Sequence, residues 1–189
     1  MCAADTDVLR LQTTHKCMHR VIQTLATGAM LVGMLVAPSA RADRTIESAL
    51  FVSKSENKNQ VHYGVHIDDT CTFAGSSPVY AYWRMLEKGP ASIEPLLARE
   101  QRAYGIARQD VHGDTVRVTL RALPSRPITV RVMRTMDGTC VASAEMTIAG
   151  RSARLFNVHV ALGFLSVDHL LLTGWTDPDG HVVRERINP

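Results

Sequence analysis

Apolar and polar residues alternate cleanly along Gln60–Asp68. Val61, Tyr63, Val65 and Ile67 occupy one set of positions, and His62, His66 and Asp68 the other. Successive side chains on a strand point to opposite faces, so this period of two predicts a core-facing row backed by titratable groups. Gly64 interrupts the polar row and marks a bulge or a close approach by another chain or a ligand. Pro78–Leu86 alternates in the same way, with Val79, Ala81, Trp83 and Met85 on one side and Tyr80, Tyr82 and Arg84 on the other. Pairing of these two runs would set imidazole, carboxylate, phenol and guanidinium groups on one shared face, opposite the core.

The same pattern extends over most of the chain. Ala49–Lys54 reads as a first short strand, followed by the polar turn Ser55–Asn59. Ser92–Tyr104 is the one helical stretch, with Ser92 placed to cap it, Pro95 tolerated in its first turn and Gly105 suited to a left-handed stop. Strands are then predicted at Ile106–Val111, Thr115–Ala122, Ile128–Arg134, Val141–Ile148, Ala153–Leu162, Val167–Trp175 and His181–Ile187. Turn residues separate them, including His112-Gly113-Asp114, Asp137-Gly138 and Asp177-Pro178-Asp179-Gly180. Short strands at this spacing predict an all-β antiparallel domain, a closed barrel ahead of a sandwich, with one short helix. A parallel α/β fold does not fit, because no series of crossover helices is present.

Length and charge narrow the function classes. A chain of 189 residues with 46% hydrophobic and 21% charged residues is sized for one domain and can build a core. The formal charge is +3, of which residues 1–42 supply +2 through Arg10, Lys16, Arg20 and Arg41 against Asp5 and Asp7. The remaining +1 on residues 43–189 is too little for a nucleic-acid surface or for electrostatic docking to anionic membranes.

Val21–Ala37 is an apolar run without charge, preceded by His19-Arg20 and followed by Pro38–Ala42, which ends in Ala40-Arg41-Ala42. This is the pattern of an export signal cleaved before Asp43. An uncleaved anchor is the alternative, but the run is short for a span of about 20 residues. Asp5 and Asp7 do not suit a signal's basic start, so residues 18–42 are assigned to the signal and 1–17 to a start-site artefact. Residues 43–189 then form a single β-rich domain, with no stable membrane span left after cleavage. Cys71 and Cys140 are the cysteines that remain, and an oxidising compartment favours a bridge between them over two buried thiols.

Several chemistries can be weighed against plainer readings. His62 and His66 lie about 13 Å apart along a straight strand at ~3.3 Å per residue, too far to share a metal ion. His66 with Asp68 could share one only with ligands from elsewhere, such as His112, His159, His169 or His181. Ser76 and Ser77 lack the frame of a nucleophile elbow, and no dinucleotide, phosphate-loop or zinc-hydrolase motif occurs, so no cofactor is expected. Tyr80, Tyr82 and Arg84 could stack on and clamp a ligand, or serve as ordinary cross-strand packing. The donor-rich turn Lys54–Asn59 reads as a hydrated turn or as the edge of a binding site.

Phe51–Tyr63, with its Lys54-Ser55-Glu56-Asn57-Lys58-Asn59 turn, and Pro78–Trp83, with Tyr80-Ala81-Tyr82-Trp83, resemble an exported bacterial family catalogued as a domain of unknown function (number 4833). The resemblance runs from about Phe51 to Ile187. It implies a small exported β-rich domain and carries no established activity onto any residue here.

The expected function is that of an exported, non-enzymatic domain binding a small polar or anionic ligand through His66, Asp68, Tyr80, Tyr82 and Arg84. Two alternatives stand beside it: a structural or partner-binding envelope module, and a hydrolase or metal-dependent enzyme using His66 and Asp68.

Overall fold

A computed structural model describes residues 44–188, apart from Pro90 and Leu165. The expected signal over residues 18–42 and its cleavage before Asp43 lie outside the described residues. Among the described residues eleven strands and one helix follow in order. They are β1 (Arg44–Lys54), β2 (Asn57–Ile67), β3 (Val79–Arg84), β4 (Ile93–Pro95), α1 (Ala98–Tyr104), β5 (Ile106–His112) and β6 (Thr115–Leu120). After them come β7 (Leu123–Arg134), β8 (Cys140–Ile148), β9 (Arg151–Leu162), β10 (Val167–Trp175) and β11 (Val182–Ile187).

The sheet forks at β9. Arg151–Leu155 pairs antiparallel with β8, whereas Asn157–Val160 pairs parallel with β1, so the switch falls at Phe156. Two limbs therefore grow from one strand, β1-β2-β3-β4 and β8-β7-β6-β5. On its other edge β9 is paired by β10, and β10 by β11. The limbs close over a shared core to which β1, β2 and β3 contribute Leu50, Val61 and Val79, and β6, β7 and β8 contribute Val118, Ile128 and Ala144. This is a sandwich of an open, branched sheet. The closed barrel expected from the strand spacing does not form, because β4 is only three residues long and pairs with β3 alone.

Two other expectations are corrected. The sheet is not wholly antiparallel, since β1 and β9 run parallel; hydrophobic alternation reports a strand's faces but not the direction of its neighbour. The helix is shorter than Ser92–Tyr104. Pro95 biases Glu94 toward extended backbone, Ile93–Pro95 pairs with β3, and the Ser92 carbonyl accepts from the Met85 N–H at 2.8 Å. The helix instead starts after Leu97, whose N–H donates to Glu100 Oε2 at 2.8 Å. Gly105 ends it with φ −65°, not left-handed; a β-carbon there would collide with the Gln101 carbonyl.

Strand ends also move. β1 reaches back to Arg44, and β7 begins at Leu123 rather than Ile128. Pro124 and Pro127 fall where the β6–β7 ladder is interrupted, between the Leu120–Leu123 and Val118–Ile128 pairs, so neither missing N–H costs a rung.

The apolar row of β2 behaves as the alternation along Gln60–Asp68 predicts. Val61, Tyr63 and Val65 are fully buried and Ile67 is nearly so. The Tyr63 hydroxyl, deep in the core, donates to the Tyr104 carbonyl at 2.6 Å and fastens the end of α1 between the limbs. Burial pushes that phenol well above its ordinary range. Cys71, just past β2, is bonded to Cys140 at the start of β8, with Cα atoms 5.5 Å apart. The bridge thus joins one limb to the other.

Candidate functional site

The expected face assembles on the outer side of β1, β2 and β3. Gln60 stands opposite Arg84, His62 opposite Tyr82 and Gly64 opposite Tyr80, while Phe51 of β1 faces His62 from the other flank. Their rings form a continuous ladder. Centroids lie 5.4 Å apart for Phe51–His62, 5.7 Å for His62–Tyr82, 5.7 Å for Tyr82–Tyr80 and 4.4 Å for Tyr80–His66, all with planes within 30° of parallel. Rings stacked this way spend their faces on one another and turn only edges outward.

A bulge in β1 covers much of the ladder. Between the pairs Ile46–Val65 and Leu50–Tyr63, three residues of β1 (Glu47, Ser48 and Ala49) stand against Gly64 alone. The slack lets Glu47 and Ser48 reach across β2. Tyr82 Oη donates to the Glu47 carbonyl at 2.5 Å, and Arg84 Nη2 donates to Glu47 Oε2 at 2.9 Å. His62 is held at both nitrogens, Nδ1 to Ser48 Oγ and Nε2 to Gln60 Oε1, each at 2.9 Å. His62 and Tyr82 are both only 5% exposed. Burial first, and the Arg84 guanidinium second, lower the His62 pKa to about 4 against the opposing pull of Glu47, so the ring is neutral at physiological pH. Burial likewise raises both Tyr80 and Tyr82.

The predicted ligand-binding residues do not all converge. His66, Tyr80, Tyr82 and Arg84 share this face, whereas Asp68 lies beyond the end of β2. Its Oδ1 accepts from the Thr70 N–H at 2.9 Å, the Thr70 hydroxyl at 2.6 Å and the Thr72 N–H at 3.0 Å. This carboxylate organises the loop that presents Cys71, whose φ of 62° is rare for a residue with a side chain. Among the described residues no three His, Cys, Asp or Glu side chains are grouped to hold a metal ion.

One arrangement of the kind a hydrolase uses was not legible in the sequence. Ser53 Oγ lies 3.0 Å from His159 Nδ1 and accepts from Asn157 Nδ2 at 3.1 Å. Sequence spacing gives no hint of it, because the parallel β1–β9 pairing brings together residues 106 apart. A nucleophile also needs donors for a developing oxyanion. Ser53 pairs with His159 of β9 in the parallel ladder and falls in the register shift between the Val52–Val61 and Lys54–Asn57 pairs with β2. The contact is a cross-strand hydrogen-bond cluster.

A cleft of about 340 Å³ opens on the Trp83 side of β3, and part of its wall comes from the donor-rich stretch Lys54–Asn59. The β1–β2 hairpin supplies Lys54, Asn57 and Asn59, and β3 supplies Trp83 with Met85 beyond it. Glu94 and Pro95 of β4, with Leu97 and Glu100 at the head of α1, complete it. Trp83 forms the floor, packed into the core and 9% exposed. Its Nε1 donates to Glu100 Oε2 at 2.9 Å, and Lys54 Nζ stands 5.7 Å from the indole centroid, within cation–π range. The Leu97 N–H, above all, holds the Glu100 carboxyl below its usual range, with Trp83 and Lys54 adding to the effect.

The hairpin's asparagines explain how that wall is held. Asn57 Oδ1 accepts from the Asn59 N–H at 3.1 Å and shapes the entry to β2. The buried Asn59 amide pairs reciprocally with Glu87, accepting from its N–H and donating to its carboxylate, both at 3.2 Å. The turn after β1 is thereby locked to the turn after β3. The cleft contains one cation and two carboxylates around an aromatic floor, a lining able to hydrogen-bond a polar ligand while covering its apolar side.

Among the described residues no helix is long and apolar enough to cross a membrane. Comparison with curated proteins and with solved structures finds no match to either. Comparison with protein families gives one over most of the folded region, starting in β1 and ending in β11. With residues 50–186 matched, the chain belongs to the family described as Domain of unknown function (DUF4833).

Proposed function

We propose that the protein is an exported, non-enzymatic binding domain that takes a small polar ligand in the cleft over Trp83. One observation carries this reading: Lys54, Asn57 and Asn59 of one segment bearing the family resemblance and Trp83 of the other meet as wall and floor of a single cleft. A mixed lining of ammonium, carboxylate and amide groups around an indole suits a ligand with hydroxyl or amide groups on one side and carbon on the other. With Glu94 paired to Lys88 at 2.6 Å, Lys54 and Glu100 leave the lining close to charge balance, which suits a neutral or zwitterionic ligand better than a strong ion. Export rests on the charge-flanked apolar run and its small-residue end.

The aromatic ladder supports a structural role for the face first expected to bind. Its ring faces are stacked, and His62 and Tyr82 are covered by the β1 bulge. The ligand seat in this reading is the cleft over Trp83 and not the face of His66, Tyr80, Tyr82 and Arg84.

Intrinsic fluorescence tests the reading, since Trp83 and Trp175 are the two tryptophans of the chain. In a Trp175→Phe background, a panel of monosaccharides, amino sugars and amino acids is titrated to millimolar concentration. A saturable change in Trp83 emission that Lys54→Ala weakens is the expected result. If no member of the panel perturbs Trp83, or if Lys54→Ala leaves the titration unaltered, the cleft is not the binding site.

A further inference from the structure

The two limbs leave an apolar opening at the end of the sandwich where α1 finishes, separate from the polar cleft. Two hollows adjoin there. One, of about 360 Å³, is walled by Leu123 and Pro124 from the start of β7 and by Ile187 from the end of β11. The other, of about 260 Å³, is walled by Val160 and Leu162 of β9 and reaches Ala103 and Tyr104 of α1. Ala122, Val167 and Leu170 line both, so the hollows form one groove. Its length is defined by aliphatic side chains from four strands and a turn, and one charged group stands at its lip. That group is Arg121, exposed and without an ion pair among the described residues.

We infer that this groove binds a free single-chain fatty acid, with the acyl chain along Leu123, Leu162, Val167 and Leu170 and the carboxylate on Arg121. An elongated apolar groove matches a flexible methylene chain better than a compact polar ligand. The volume of each hollow is at or near the lower end of the range of small-molecule sites, ~300–1,000 Å³. A guanidinium at the lip offers two parallel donors to a carboxylate, which selects an anionic head over a cationic or neutral one. The site shares no lining residue with the cleft over Trp83, so either reading can fail without the other.

Dodecanoate below its micelle concentration is the probe, titrated calorimetrically into the folded domain beside dodecylammonium and octanoate. Saturable binding of dodecanoate is expected, with octanoate at least tenfold weaker and dodecylammonium not bound. Arg121→Gln should reduce the affinity roughly tenfold, as loss of a bidentate charged contact implies. Ala122→Phe, on a turn at the surface and projecting into both hollows, should abolish it, with urea unfolding checking that the fold is kept. Lack of dodecanoate binding by the unaltered protein overturns the inference, as does equal binding of dodecylammonium. Sedimentation equilibrium supplies the remaining arm: a dimer that Ala122→Phe dissociates would make a second copy the occupant and overturn the fatty-acid assignment.

Discussion

Tyr80 lies flat against Gly64 of the neighbouring strand: a β-carbon at position 64 would stand 2.5 Å from both Cζ and Oη of the ring. The two residues are cross-strand partners, and the ring covers the backbone that glycine leaves bare, as aromatic residues do opposite strand glycines. The same close approach lets His66 stack on Tyr80 at 4.4 Å.

Gly64→Ala should push the Tyr80 ring aside and unstack His66 without unfolding the domain, because the far end of a half-exposed side chain can swing. The loss should be about 1 kcal/mol, the worth of an aromatic pair, read as a lower urea midpoint with an unchanged slope. In a Tyr80→Ala background the same substitution should cost almost nothing. Equal costs in the two backgrounds would show that ring and glycine are not coupled.

His62 gives the fold a defined sensitivity to acid. An unfolded-chain imidazole protonates near 6.5, and burial beside Arg84 lowers the folded value to about 4. Between these values the unfolded chain binds more protons than the folded one, so stability is complete above about pH 7 and declines as pH falls through this window. Carboxylates held low, Glu100 and Glu185 among them, act in the same direction only at lower pH. Urea midpoints measured across pH 4–6.5 should fall with acidification, and His62→Gln should flatten that slope. NMR titration of the His62 ring that returned an ordinary value would contradict the buried, neutral assignment.

Faces were legible where one side of a strand is buried and the other is not. On β2 and β3 a slip of one residue would turn Val61, Tyr63, Val65 and Ile67 out to water, so alternation alone specifies the register. The fork at Phe156 was not legible, since β1 and β9 alternate identically whether they meet in parallel or antiparallel fashion. Nor was the shift of the candidate site. Composition shows that His62 and Tyr82 are polar, but only the bulge at Glu47–Ala49 decides that they are covered. Lys54, Asn57 and Asn59 could be read as a binding edge; Glu100, on the other side of the cleft, carries no local signal and gains its role from Trp83 and Leu97.

Cys71–Cys140 should carry a large share of the stability, because it closes a long loop and ties the limbs together. The cysteines are 69 positions apart, a separation worth about 4 kcal/mol on the chain-entropy model. Paired Cys71→Ser and Cys140→Ser substitutions should lower the urea midpoint accordingly, and reductant should reproduce the shift in the unaltered protein. A double variant as stable as the oxidised protein would remove the bridge from the account of the fold.

Gln109 offers the sharpest test of how the open sandwich is held shut. β3 and β5 belong to different limbs and form no ladder with each other, yet the Gln109 amide meets the backbone of Val79 twice. The Val79 N–H donates to Gln109 Oε1 at 3.0 Å, and Gln109 Nε2 donates to the Val79 carbonyl at 3.2 Å. A side-chain amide carries the same donor and acceptor as a peptide group, so Gln109 supplies a single rung where a closing strand would supply several. Gln109→Ala would leave both Val79 backbone groups without that partner in a buried setting, at a cost of ~1–3 kcal/mol. Gln109→Glu keeps an acceptor but, when ionised, lacks a donor for the carbonyl, so its loss should be partial and should shrink on acidification. Hydrogen exchange at the Val79 amide is the direct readout. It should quicken in Gln109→Ala well beyond any change at Tyr63 or Val65, whose strand pairing is untouched. Unchanged protection at Val79 would mean that the Gln109 rung does not hold β3 to β5.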